Sequence, residues 1–189
     1  MTRTLISILL IICCSCSENH APQEKRAETA TTDSSTLSAT NTIKSLYTWY
    51  SDHQYLQQAM VNNAGGDLLD STKFYSVNFD ATNDYLNELK KTGLVSDKYL
   101  SEWRNYFVKC EEHFKEFPAY DGPPAGFEYD FITKSQDFEL TPDAIKNAKV
   151  RDTKDHGNTK TLTMEFPNGN ILTFTVSKSG SRWLIDKIE

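Results

Sequence analysis

The positions of the aromatic residues constrain the fold of this chain more than any other feature. All 10 Phe, 9 Tyr and 3 Trp of the 189 residues lie between Tyr47 and Trp183. Aromatic side chains supply much of the buried area of a protein core, so the core must be built from residues 42–189. A segment of roughly 150 residues can form one domain that needs neither disulfides nor a structural metal.

The N-terminus has the pattern of an export signal. Arg3 precedes an uncharged apolar run over 5–14, which is too short for a transmembrane helix and has the length of a signal-peptide core. The run ends in Cys14-Ser15-Cys16, which resembles the lipobox of bacterial lipoproteins, where the Cys after a small residue is acylated. A plain secretory signal with incidental cysteines, or a short buried helix, is the alternative.

From this resemblance we predict a signal peptide over 1–15 and lipidation of Cys16 by fatty acyl chains such as palmitate. Residues 17–41 are rich in Ser, Thr, Ala and Glu and contain one Leu and no aromatic residue. Such a segment cannot bury enough apolar surface to offset its ordering entropy. We therefore predict a disordered tether over 16–41 and a membrane-anchored domain over 42–189. Its expected location is the bacterial cell envelope, at the periplasmic face or the cell surface.

Hydrophobic periodicity predicts that the helices of the domain come first. Apolar residues recur every three or four positions over 42–60, 80–92 and 97–117. Gly93 is placed to end the second helix, and Ser96 is placed to cap the third. After residue 127 the pattern predicts β structure.

Strict alternation predicts strands over 161–166 and 172–177, joined by a type I′ hairpin turn at Asn168-Gly169. A last strand over 182–189 carries Trp183, which we expect in the core on the same face as Ile185 and Lys187. The sequence thus predicts an α+β fold in which N-terminal helices pack against a curved antiparallel sheet.

Three segments of the domain carry a family resemblance. They are LYTWY (46–50), YDFITKSQDF (129–138) and WLIDKI (183–188). Together they resemble the small bacterial lipoproteins of domain of unknown function 3828, in the nuclear transport factor 2-like (cystatin-like) superfamily. The resemblance spans 42–189 and implies a cone-shaped sheet wrapped around helices, with a pocket between them. It implies no activity, because that fold occurs in isomerases, dehydratases, immunity proteins and scaffolds.

The acidic segment 129–138 contains the candidate functional residues Asp130, Asp137 and Tyr129. Two carboxylates at this spacing, if they meet at the mouth of a pocket, could share a proton or hold a cation. A strand over 127–132 would place Asp130 on a covered element, where a carboxylate is hydrogen-bonded or has a raised pKa. The structural alternative is that Asp130 binds a Lys or a backbone N–H and that Asp137 caps a turn.

Other candidates favour structural roles. The four His do not cluster, and we find no HExxH, no paired CxxC, and no GxSxG, GxGxxG or P-loop motif, so we predict neither a metal nor a cofactor. Cys110 lies on an apolar helical stripe, where a buried, unreactive thiol is expected. The loop 118–127 is either a rigid surface that presents Tyr120 and Phe127 to a partner, or a connection only.

The net charge of −6 argues against a nucleic-acid binder, which needs a basic face. We expect a lipid-anchored, non-enzymatic binding or interaction module for a protein partner or a small ligand. An immunity-type protein that blocks an incoming toxin is one specific form of this expectation. The alternatives are a small isomerase- or hydrolase-type enzyme that uses Asp130 or Asp137, and a structural scaffold. Polar groups that converge in a cavity would favour an enzyme or a ligand binder, whereas a cavity filled by aromatic rings would not.

Overall fold

The structure, a computed structural model, describes residues 33–62, 74–119 and 121–189. The predicted signal peptide, Cys16 and the tether up to residue 32 lie outside these residues. In the described ranges, no helix has both the length and the apolar character needed to cross a membrane. The elements in chain order are α1 Ser34–Ser51, a 3₁₀ helix Gln54–Gln57, β1 Val61–Asn62, β2 Ser76–Val77, α2 Phe79–Thr92, α3 Asp97–Glu116, α4 Pro142–Asn147, β3 Lys149–Asp155, β4 Thr159–Glu165, β5 Ile171–Ser179 and β6 Arg182–Ile188.

Helix α1 begins earlier than the sequence predicts, so the predicted tether over 34–41 is wrong. Asp33 caps the helix, since its Oδ1 accepts hydrogen bonds from two backbone N–H groups at 2.7 and 2.9 Å. The first turns bury Thr and Ala side chains, which a search for large apolar residues does not detect. The helix also ends at Ser51, before the predicted end at residue 60.

Helices α2 and α3 lie where the periodicity predicts them. Gly93 ends α2 in the left-handed conformation, with φ 64°. The Oγ of Ser96 accepts a hydrogen bond from the backbone N–H of Tyr99 at 3.2 Å and so caps α3. The apolar stripe of α3 is buried as predicted, except that Phe117 follows the last turn and is 57% exposed.

Strands β3 to β6 form one antiparallel sheet in sequence order, which confirms the predicted meander. The hairpin between β4 and β5 is not the predicted type I′ turn. That turn needs positive φ at both central residues, and here only Gly169, at 88°, has it. Pro167, with its fixed negative φ, favours a type I turn followed by a left-handed glycine.

Strand β6 departs from strict alternation. A register shift against β5 lies between Thr175 and Val176. As a result Ile188 is buried on this strand while Lys187 is exposed, which corrects the predicted faces. Trp183 is 4% exposed, so its predicted place in the core is confirmed.

Helix α4 lies in a region where the sequence predicted only β structure. Thr141 caps this short helix by accepting a hydrogen bond from the backbone N–H of Ala144 at 3.1 Å, and Pro142 stands in its first turn. Six residues are too few to give a helical period, so the cap alone signals the element.

Aromatic rings fill the space between the helices and the sheet. The ring of Tyr47 stacks on Phe166 with centroids 5.2 Å apart and meets Phe174 edge-on at 5.8 Å. Trp103 of α3 lies against Phe131 at 4.6 Å. The α+β fold class is therefore confirmed, with a core of interlocked aromatic side chains.

Candidate functional site

A groove of about 460 Å³ lies between the end of the 3₁₀ helix and the segment 124–136. Tyr129 and Asp130, two of the predicted site residues, line it, and Asp137 does not. The lining mixes amide, aromatic and acidic side chains, among them those of Gln57, Gln136, Phe127, Tyr129, Glu128 and Asp130.

The segment 127–132 is a series of turns, so the predicted strand is wrong. Asp130 is the cause, because its Oδ1 accepts hydrogen bonds from the backbone N–H groups of Ile132 at 2.9 Å and Thr133 at 2.7 Å. Its backbone carbonyl accepts a further bond from the N–H of Lys134 at 2.8 Å. An Asp that binds the backbone in this way offers the chain a turn in place of a strand ladder.

The second carboxylate oxygen of Asp130 faces the protein interior. It accepts a hydrogen bond from the hydroxyl of Tyr50, and that hydroxyl accepts one from the side-chain amide of Gln57. The Oε1 of Gln57 in turn accepts from the backbone N–H of Phe131 at 3.2 Å. Burial and the nearby Asp130 carboxylate raise the pKa of Tyr50 far above its ordinary value, so Tyr50 remains a neutral donor.

The two other predicted site residues differ in their surroundings. Tyr129 is 37% exposed and presents its ring at the groove. Asp137 is exposed, and its backbone N–H donates to the Oγ of Ser135 at 3.2 Å. The structure thus does not bring the two predicted carboxylates into one groove. A binding role for any of the three residues stays a prediction.

One wall of the groove is fixed to helix α3 at Gly126. The hydroxyl of Tyr106 donates to the carbonyl oxygen of Gly126 at 2.6 Å. Gly126 has φ 85°, and a Cβ there would lie 2.8 Å from the Sγ of Cys110 and 2.9 Å from the Oη of Tyr106. Only glycine fits this close approach.

The rest of the proline-rich loop is also tied down. The hydroxyl of Tyr75 donates to the carbonyl oxygen of Gly122 at 2.8 Å. Phe127 is half-buried and stacks on Phe107 with centroids 6.0 Å apart, so this contact does not favour the alternative in which the loop presents Phe127 as an exposed ring. Tyr120 lies outside the described residues.

Cys110 is buried, as predicted, at 7% exposure. Burial raises the pKa of its thiol, which therefore stays protonated near neutral pH. Its low reactivity stays a prediction. Among residues 33–62, 74–119 and 121–189, no group of three or more His, Cys, Asp or Glu side chains could hold a metal ion.

Sequence reasoning missed the two glutamines of the groove. Gln57 binds the backbone of Phe131 across 74 positions of the chain. Gln136 donates to the carbonyl oxygen of Glu128 at 2.5 Å. No local motif marks a side chain that binds a distant backbone group. Only the place of Gln136 inside the acidic segment could have drawn attention to it.

No family model matches this chain, and no curated protein matches it. Two solved chains resemble it in structure, and both come from a type VI effector–immunity complex, Tae3–Tai3, of Ralstonia pickettii, in selenomethionine and native forms. They are 18% and 16% identical to this chain, with TM-scores of 0.42 and 0.44. Each match covers 79% of this chain, and 92% and 91% of the solved chains. A likeness at this level does not decide function, and the resemblance to domain of unknown function 3828 stays a prediction.

Proposed function

We propose that this protein is a lipid-anchored interaction module of the bacterial cell envelope, which binds a protein partner through the groove. The observation that carries the proposal is the way the groove is built. Side-chain hydrogen bonds to backbone groups fix both of its walls, while the ring of Tyr129 stays accessible between them. A fixed surface loses little conformational freedom when a partner binds.

The composition of the groove also supports a protein partner. Amide groups, a carboxylate and aromatic rings lie side by side in an open depression, and tyrosine is among the residues that most often dominate binding energy at interfaces. Glu128 and Asp130 give the lining two negative charges. A partner surface with basic and polar groups complements it.

The enzyme alternative has less support from the same residues. Both oxygens of the Asp130 carboxylate accept hydrogen bonds, from two backbone N–H groups and the Tyr50 hydroxyl. A general base must reach the proton that it abstracts with a free lone pair in the right direction. The bonds around Asp130 are those of a residue that shapes a turn.

The finer form of the proposal concerns the partner. We propose an immunity-type role, in which the module blocks a toxin that reaches the envelope. The pattern of the N-terminus supports it, because export and lipidation at Cys16 would hold a ready-made binding surface where such a toxin acts.

Site-specific photo-crosslinking in cells that express the full chain tests the groove. We expect a photoreactive amino acid at Tyr129 to give one discrete protein adduct. The same group at Ile171, an apolar position on β5 that is more exposed than Tyr129 and does not line the groove, should give none. Equal adducts from both positions, or none from Tyr129 in folded protein, would overturn the proposal. For the immunity form, the crosslinked protein must be toxic when directed to the periplasm and harmless when this chain is co-expressed.

The anchor has its own test. Fatty-acid labelling should show that Cys16→Ala loses both label and membrane retention, while the matched change Cys14→Ala keeps both. The opposite pattern would place the lipid on Cys14.

A further inference from the structure

A second, smaller cavity lies between helix α3, strand β6 and the turn that follows Asp130. Its volume is about 160 Å³. An apolar cavity of roughly 150 Å³ is large enough for a benzene ring. The walls are aromatic rings from α3, and the charged groups are two ammonium groups and one carboxylate. The rings belong to Tyr99, Trp103 and Tyr106, and the charged groups belong to Lys134, Lys187 and Glu102.

Lys134 is an unusual residue in this cavity. Its ammonium lies 4.5 Å from the ring centroid of Trp103 and 5.7 Å from that of Tyr129. This ammonium makes no hydrogen bond or ion pair with any residue that the structure describes. Its backbone has φ 56°, a left-handed conformation that residues with a side chain rarely adopt. A half-buried cation in strained backbone and without an anion is expensive to keep.

The charged groups around Lys134 do not compensate for the desolvation of its ammonium group. Burial is the main cause that lowers the pKa of Lys134, to about 8, and it is opposed by the carboxylates of Asp130 and Glu189. Lys187 adds to the lowering. That lysine is itself paired, since its Nζ lies 2.6 Å from an Oε1 of Glu189. Lys134 therefore remains the cavity's unpaired ammonium, with Glu102 as the one carboxylate of the lining.

The ring wall and the ammonium of Lys134 together suit one kind of ligand. Tyr99 lines the cavity, but its hydroxyl is buried and presents no surface to a ligand. The unpaired ammonium of Lys134 is what an anionic group would satisfy, and the rings beside it suit an apolar body.

We infer that this cavity binds a small monocarboxylate with a flat apolar body. The carboxylate pairs with the ammonium of Lys134. The apolar body lies against the rings of Trp103 and Tyr106. Glu102 on the same cavity disfavours a ligand with a further negative charge. This inference does not depend on the protein partner proposed for the groove.

Benzoate is a suitable probe, and benzylamine is its cationic counterpart of similar size. The full chain is labelled with fluorotryptophan, which gives one ¹⁹F signal for each of its 3 tryptophans. We expect benzoate to shift the Trp103 signal until saturation, while the signals of Trp49 and Trp183 stay in place. Benzylamine should shift none of them. The affinity for benzoate should fall as the pH rises above about 8, because Lys134 then loses its proton.

Two variants complete the test. Lys134→Met keeps an apolar stem without the charge and should bind benzoate at least tenfold more weakly. Lys178→Met, which changes an exposed lysine of β5, should bind as the wild type does. The inference is overturned if wild-type protein shows no saturable shift, or if Lys134→Met binds benzoate unchanged. Should Lys134→Met not fold, Lys134→Gln answers the same question.

Discussion

Among the described residues, Lys134 and Lys160 each hold an ammonium group beside a tryptophan ring, in two regions with different surroundings. Lys160 on β4 is 1% exposed, forms an ion pair with Asp155 and lies 3.9 Å from the carboxylate of Asp33. Lys134, in the turn beside the small cavity, has no ion pair with a described residue. Each ammonium also faces a tryptophan ring, Trp183 at 5.7 Å and Trp103 at 4.5 Å.

The comparison shows that a nearby aromatic ring does not replace an anion as the partner of a buried ammonium group. Around Lys160 the chain provides its own anions, and one of them is the cap of helix α1, so the pair joins that helix to the sheet. A buried cation with its partners in place belongs to the architecture. Around Lys134 the ammonium contacts rings, and the carboxylates of Asp130 and Glu189 act on it without forming an ion pair. A cation–π contact gives less than the desolvation of an ammonium takes away. The missing anion of Lys134 is therefore expected from outside the chain.

The largest effect is expected where the ring beside the paired lysine is removed. Trp183→Ala should lower the free energy of unfolding by about 3–5 kcal/mol, since Trp183 is buried in the core. Leu37→Ala, at a position 53% exposed, is the control and should change it by less than about 0.5 kcal/mol. Urea unfolding followed by circular dichroism gives both values. A melting temperature within a few degrees of wild type would show that Trp183 does not anchor the core.

A smaller effect is expected in the turn that holds Lys134. Asp130→Ala removes the acceptor of two backbone N–H groups and of a buried tyrosine hydroxyl. It should lower the free energy of unfolding by about 1–3 kcal/mol. The matched change Asp137→Ala, at an exposed carboxylate, should lie within about 0.5 kcal/mol of wild type. Equal effects of the two changes would contradict the structural role of Asp130.

The smallest expected effect is on the pH dependence of stability, which should differ between the surroundings of the two lysines. The hydrogen bond from Lys160 is the main cause that lowers the pKa of Asp155. A carboxyl group whose pKa is lowered by folding stabilises the fold above its ordinary value of 3.8 and loses that contribution as the pH falls. Burial lowers the pKa of Lys134 from 10.5 to about 8, so the unfolded chain binds more protons between these values. Stability from Lys134 therefore rises with pH across that window.

Urea unfolding at pH 3, 7 and 10 measures both effects. In wild-type protein the free energy of unfolding should gain a contribution from Lys134 on the order of 1 kcal/mol between pH 7 and pH 10, a value discounted for solvent screening. Lys134→Met should lose this gain and should keep the fall in stability between pH 7 and pH 3. Asp155→Asn should show a smaller fall in stability between pH 7 and pH 3 and should keep the gain between pH 7 and pH 10. If both variants follow the wild-type pH dependence, the two ammonium groups are not treated differently by the fold.

The sheet was predictable because each strand carries its own pattern. Apolar residues alternate along β4 and β5, and Leu162 pairs with Phe174 on the buried face. The segment 127–132 carries a similar alternation and is nevertheless a series of turns. Its conformation depends on the side chain of Asp130 and on a hydrogen bond that the backbone N–H of Phe131 donates to Gln57, 74 positions away. Such long-range bonds leave no mark in a local pattern.

The candidate site was predictable only in part. Tyr129 and Asp130 were identified because they lie in an unusual acidic segment. Lys134 lies in that segment too, and its significance depends on Trp103, which helix α3 brings beneath it. The early start of α1 was missed for another reason, since small residues bury a helix face without raising its hydrophobicity.

Because Gly126 packs against Cys110, the reactivity of this thiol can report the opening of the groove. The backbone at 126 lies against the Sγ with no room for one more carbon atom. An alkylating reagent therefore reaches the sulfur only while that stretch of chain has moved away. When closing is fast, the rate of alkylation is the intrinsic rate multiplied by the fraction of time spent open. In a chain whose other three cysteines are changed to serine, the alkylation of Cys110 thus reports how often this wall of the groove opens.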